Sequence, residues 1–202
     1  EDRFISEYMK YINDEEKIVN GGLLYREEKP EKEQLLRWIY GRKREALAAE
    51  LRQKEPYRSF LTLNFLIHKS IFKEVSFDET IPNFRHEDTL FSYTLMQKKI
   101  SIMHINNPIY HLGLDDFDYA IQKEKESLTA LKYLIDNALL STNYLRISKL
   151  FASLKQFKLV VAFSFFYKIS QFLILKNLSS TAPSLFIFDL YRLGYLCNIE
   201  NK

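Results

Sequence analysis

A chain of 202 residues, 47% hydrophobic and 27% charged, is long enough to bury a full core and is neither disordered nor of low complexity. Its formal net charge of +3 is too small for the concentrated basic face that nucleic-acid binding requires, so no nucleic-acid partner is expected. A single cysteine, Cys197, excludes an internal disulfide framework and fits a reducing, cytoplasmic compartment.

Residues 3–12, RFISEYMKYI, space Phe4, Ile5, Tyr8, Met9 and Ile12 as on an amphipathic helix. KIVNGGLLY follows as a short β run broken by Gly21-Gly22, and a double glycine within a strand marks a bulge or a close backbone approach. Next comes a charged stretch with helical patches and prolines at Pro30 and Pro56. Its basic residues Arg42, Lys43, Arg44, Arg52, Lys54 and Arg58 are interleaved with Glu45, Glu50 and Glu55, the pattern of a solvated helix face. SFLTLNFLIHKSIF predicts a buried strand, with His68 in it, turning into a short helix. TLFSYTLMQKK predicts a helix that starts at about His86-Glu87-Asp88. ISIMHINNPIYH predicts a β-branched strand ending at Pro108, with His104 as a satisfied core histidine.

Helix and strand alternate up to residue 112, which predicts an α/β layer. From about Ser127 the chain becomes a series of apolar helices, so residues 1–125 are expected as an α/β portion and 126–202 as an α-helical extension. Within that extension, residues 159–175 are very apolar but interrupted by Lys168 and flanked by Lys158 and Lys176. That run is at the short limit for a spanning helix. It predicts either a buried helix or peripheral membrane contact through 158–178, lysines toward anionic headgroups.

The stretch FDETIPNFRHEDTLF, residues 77–91, places Glu87 and Asp88 side by side at a helix start. Carboxylates there gain roughly 0.3–1 kcal/mol from the helix dipole, which alone explains many such pairs. The same rigidity also suits a general base, which needs a fixed reach to the proton it takes.

NFLIHKSIF, then FDE, then HEDTLF opening a helix, then a strand ending NPIYH, resembles the second half of family 2 glycosyltransferases. The likeness extends to VNGGLLY and to LLRWIYGRKRE with PYRSFLTLNF, and covers residues 1 to about 125. It implies a partial GT-A (Rossmann-like) fold followed by the helical extension, and inverting transfer of a sugar from a nucleotide-sugar donor to an acceptor hydroxyl. By that resemblance Asp88 is the base and Glu87 orients the loop or touches the acceptor. His86 stands where many relatives carry Gly or another small residue, and shapes the acceptor side. Gly21 and Gly22 line the floor beneath the donor sugar, Asn64 lies near the acceptor, and His111 is a metal-binding or diphosphate-binding histidine. The implied cofactor is Mn2+ or Mg2+, and the implied acceptor is a saccharide or lipid-linked saccharide at the inner face of the membrane, as in bacterial cell-envelope polysaccharide synthesis.

Asp116-Phe117-Asp118 is a literal DxD, but its place after the last strand makes it an acidic loop. The metal-binding DxD and the nucleotide-binding half are expected upstream of Glu1, so the chain is not expected to transfer sugar alone. Two rival readings remain. A glycoside hydrolase needs two carboxyl groups about 5–9 Å apart across a sugar, which adjacent residues do not supply. A non-enzymatic helical interaction or membrane-peripheral protein would use the Glu-Asp pair only as a helix cap.

Overall fold

The computed structural model describes residues 3–13, 15–81 and 85–200. Residues 82–84 of the stretch around the Glu-Asp pair lie outside them. The chain is a helix-rich mixed α/β protein with a small mixed sheet. Its residues divide into two compact units: 1–27, 41–79 and 87–112 in the first, and 28–40, 80–86 and 113–202 in the second. The boundary expected at 125 therefore differs from the one observed. Residues 113–125 join the helical unit, together with two short stretches from earlier in the chain.

The first unit is built on β1 (Lys17–Asn20), which pairs antiparallel with β3 (Phe65–Ile67) and parallel with β4 (Ser101–His104). Side chains alternate across a strand, and β1 is covered on both faces. Ile18 joins Phe60, Ile71, Phe91, Leu95 and Ile102 in one apolar cluster, whereas its neighbour Val19 joins Tyr8 and Ile105 in another. Those clusters seat α1 (Phe4–Met9) through Tyr8, α4 (Lys69–Glu74) through Ile71, and α5 (Glu87–Gln97) through Phe91 and Leu95. A second, two-stranded parallel sheet joins β2 (Leu23–Leu24) to β5 (Ile109–Tyr110).

Two local expectations are corrected. His68 is not within a strand. It is the N-cap of α4, where its imidazole accepts from the Ser70 amide, because the segment has already left β3. ISIMHINNPIYH is two strands separated by a polar corner, in which Asn107 is buried and donates to the Phe4 carbonyl at 3.0 Å.

The second unit contains α2 (Leu35–Tyr40), α6 (Phe117–Asp136), α7 (Arg146–Gln156), α8 (Val160–Leu178) and α9 (Leu185–Glu200). Its core is aromatic: Tyr167 of α8 and Phe188 and Tyr191 of α9 pack with Leu36, Ile121, Ile174 and Leu178. Gly194 permits the close approach of α8 and α9, since a Cβ there would stand 2.7 Å from the Tyr167 ring. The acidic loop expected at Asp116-Phe117-Asp118 is a helix start instead. Asp116 caps α6 by accepting from the Tyr119 amide at 2.9 Å, and Asp118 sits in the first turn, which satisfies exposed amide donors and the helix dipole together.

Candidate functional site

The two glycines between β1 and β2 sit on a buried polar network of the first unit. Gly22 has φ of +80°, a left-handed conformation that an L side chain adopts only at a cost. A Cβ on it would meet the Arg52 guanidinium at 2.5 Å, and one on Gly21 would meet the Asn107 carbonyl, the Asn64 amide and the Tyr8 hydroxyl at 2.4–2.6 Å. The space a side chain would need is thus taken by the protein's own atoms, which is sufficient reason for glycine at both positions.

Asn64 fastens this network. Its amide donates to the Gly22 and Asn107 carbonyls, both at 2.8 Å, and its carbonyl accepts from the Tyr8 hydroxyl at 2.7 Å. Arg52, read from sequence as part of a solvated face, is only 4% exposed. It ends α3 (Ala49–Arg52), and its guanidinium donates to the carbonyls of Leu47, Asn20, Gly21 and Ile105 and to the Asn20 side chain. It also donates to His104 Nδ1 at 2.8 Å, leaving Nε2–H to donate to the Pro56 carbonyl at 2.9 Å. Because an arginine only donates, His104 is fixed as the neutral Nε2–H tautomer. Burial, and after it the Arg52 charge, hold the His104 pKa below the usual imidazole value.

Above this network lies a small cleft, lined among others by Asn20, Gly22, Glu45, Arg52, Ser59 and Asn64. Glu45 is the residue sequence reasoning missed. It closes a π-helical turn, Gly41–Glu45, and its carboxylate accepts from the Tyr25 hydroxyl. Gly41 packs flat under the Tyr25 ring, with no room for a Cβ. His111 stacks on the Tyr25 ring, the centroids 5.2 Å apart and the planes at 27°. A π turn within a charged helical patch is the one local irregularity that often accompanies a functional site, and the charge pattern of the sequence conceals it.

Glu87 and Asp88 form the first turn of α5, as expected. Asp88 Oδ1 accepts from the Thr89 amide at 2.7 Å and from the Thr89 hydroxyl at 3.3 Å. Burial and the charge of Glu87, with a smaller contribution from Glu45, outweigh those bonds and push the Asp88 carboxyl up to about 6. The charges of Glu87 and Glu45 thus act on Asp88, which is poised to exchange a proton near neutrality.

His86 has φ of +64°, a left-handed residue directly before the helix. Its Nε2 lies 2.9 Å from the Ser127 hydroxyl, and burial with the nearby Arg192 charge holds its pKa down to about 4, so the ring is neutral. Among the described residues, no group of three or more His, Cys, Asp and Glu side chains could hold a metal ion, and His111 belongs to none. No family model, no curated protein and no solved structure matches the chain.

Proposed function

We propose that the chain is the acceptor-binding, base-bearing part of an inverting family 2 glycosyltransferase with a GT-A fold. The observation that carries the reading is Asp88, a half-buried carboxyl whose pKa is raised to about 6 by burial and by Glu87 and Glu45, the last of which also lines the cleft with Gly22 and Asn64. A base with a pKa near the working pH is ionised for most of the time, yet still attracts a proton. The acceptor hydroxyl attacks the anomeric carbon of the donor, Asp88 takes the hydroxyl proton, and the nucleoside diphosphate leaves with the electron pair of the broken bond. The left-handed backbone of His86 supports the same resemblance, since a conformation open to glycine is found where many relatives carry Gly.

The Mn2+ or Mg2+ ion that such a transferase uses neutralises the leaving diphosphate. His111 alone does not fit such an ion, so the step assigned to this chain is the proton removal.

Glu45 also strengthens the hydrolase reading, because it supplies a second carboxylate that does not adjoin Asp88 in the chain. The two readings separate on the donor. The test is sugar transfer from nucleotide-sugar donors by the protein in its full natural reading frame, against hydrolysis of simple glycosides. The proposed base predicts loss of transfer in Asp88→Asn and an activity that falls as pH drops through about 6. Full transfer by Asp88→Asn, or glycoside hydrolysis without a nucleotide donor, would overturn it.

A further inference from the structure

The outward face of α8 is apolar where a water-facing helix is polar. Ser164, Tyr167, Ile174 and Leu178 are buried against the aromatic core. On the opposite side Val161, Phe165, Phe166, Ile169, Phe172 and Leu173 are each 53–75% exposed. Spacings of three and four place Val161, Phe165, Ile169 and Phe172 on one stripe along the helix. From Val161 to Phe172, at about 1.5 Å of rise per residue, that stripe runs for roughly 17 Å. A contiguous apolar surface of this length marks a docking site rather than ordinary exposure.

Charge identifies what docks. Lys176, four residues after Phe172, continues the same stripe at its far end, and Lys158 stands in the turn just before the helix. Lys168 flanks its middle, and all three are exposed. Residues 137–188 contain six basic side chains and no Asp or Glu. A protein partner would leave a lysine at each end of a buried stripe to be matched by acids. At a bilayer surface the same lysines lay their methylenes along the acyl boundary and lift their ammonium groups to phosphates.

No single helix among the described residues is long and apolar enough to span a membrane, and α7 and α8, which pass that test only together, are bent by 117°. We infer that α8 lies in the plane of an anionic phospholipid surface, apolar stripe inward and lysines at the headgroups. This stands independently of the transferase reading.

The test is flotation of the full chain with vesicles of neutral phosphatidylcholine alone or with anionic phosphatidylglycerol added. Each basic side chain near an anionic surface strengthens partition roughly fivefold. Binding is therefore expected on anionic vesicles, weakened by salt, and reduced more than a hundredfold in a variant with Lys158, Lys168 and Lys176 all changed to Glu. A Phe172→Trp variant should be quenched by lipids brominated high on the acyl chain, which places the stripe at the boundary whatever the enzyme does. Equal binding to neutral and anionic vesicles, or an unquenched tryptophan on bound protein, would overturn the inference. So would absence of binding, including the case of a dimer in sedimentation analysis that Phe165→Ser with Phe172→Ser dissociates.

Discussion

Replacing Asp88 by Asn should make the protein more stable and less active at once. The carboxyl is held at about 6 in the folded chain against 3.8 as its ordinary value. At about 1.4 kcal/mol per pKa unit, that gap corresponds to about 3 kcal/mol of destabilisation once the group is ionised in both states. Solvent screening at a half-buried group and the attraction of the α5 N-terminus, roughly 0.3–1 kcal/mol, bring this to roughly 2 kcal/mol. The sign follows from proton counting. Between 3.8 and about 6 the folded protein holds a proton that the unfolded chain has released, so stability falls as pH rises through this window and the loss is complete above it. Asparagine keeps an oxygen to accept from the Thr89 amide and removes the charge. For a chain of 202 residues, roughly 2–4 °C per kcal/mol predicts a melting temperature about 4–8 °C higher than wild type at pH 8. Near pH 4 most of that difference should vanish. Thermal unfolding followed by circular dichroism at both pH values reads it directly. A variant less stable than wild type at pH 8 would show that the carboxylate is a favourable helix cap, and the argument for a strained base would fail.

Other perturbations follow from the same network. Arg52→Met strands the carbonyls of Leu47 and Ile105 and the Asn20 side-chain oxygen, and should cost roughly 3–5 kcal/mol, read as a lower urea midpoint. Gly22→Ala combines the left-handed φ of +80° with a clash on Arg52, so a loss of at least about 2 kcal/mol is expected in the same assay. His86 and His104 are both held below the ordinary imidazole value of 6.5, His86 at about 4. For these two the unfolded chain takes up protons first, so the stability they contribute is complete above 6.5 and is lost as pH falls through it. Urea midpoints for Asp88→Asn, which lacks the opposing titration, should therefore decline between pH 7 and 5 more steeply than those of wild type.

The alternation of helices and strands was legible because each segment buries a face. Ile18 and Val19 alternate into two clusters, and Phe91 and Leu95 repeat at helical spacing. The Glu-Asp start of α5 was legible for the same local reason. Arg52 was not, because burial of a guanidinium depends on carbonyls brought from β1 and from Ile105 just beyond β4, and a charge pattern along one helix carries no trace of them. Nor was the end of the strand at His68, where capping by its own imidazole overrides the β pattern. The helical unit likewise recruits residues 28–40, because Leu36 completes an aromatic core that no local periodicity links to α6 and α9.

Glu45 shows how these levels combine. Its position rests on the π turn, the π turn rests on Gly41 lying flat under Tyr25, and Tyr25 in turn binds the Glu45 carboxylate. The turn is closed by the Ala46 amide donating to the Gly41 carbonyl at 2.9 Å, so displacing Gly41 from the Tyr25 ring shifts the backbone that carries Glu45. Gly41→Ala drives a methyl into the Tyr25 ring and should release Glu45 from the cleft. With one neighbouring negative charge withdrawn, the Asp88 pKa should move down toward its ordinary value, while Glu87 and burial still hold it above 3.8. Tyr25→Phe, which keeps the ring and removes the hydroxyl, separates the two causes. It should disturb Glu45 without the steric strain. Carbon-13 NMR titration of the Asp88 carboxyl reads the outcome. A downward shift in both variants ties Glu45 to the proton affinity of Asp88, and an unchanged pKa in both would remove Glu45 from the site.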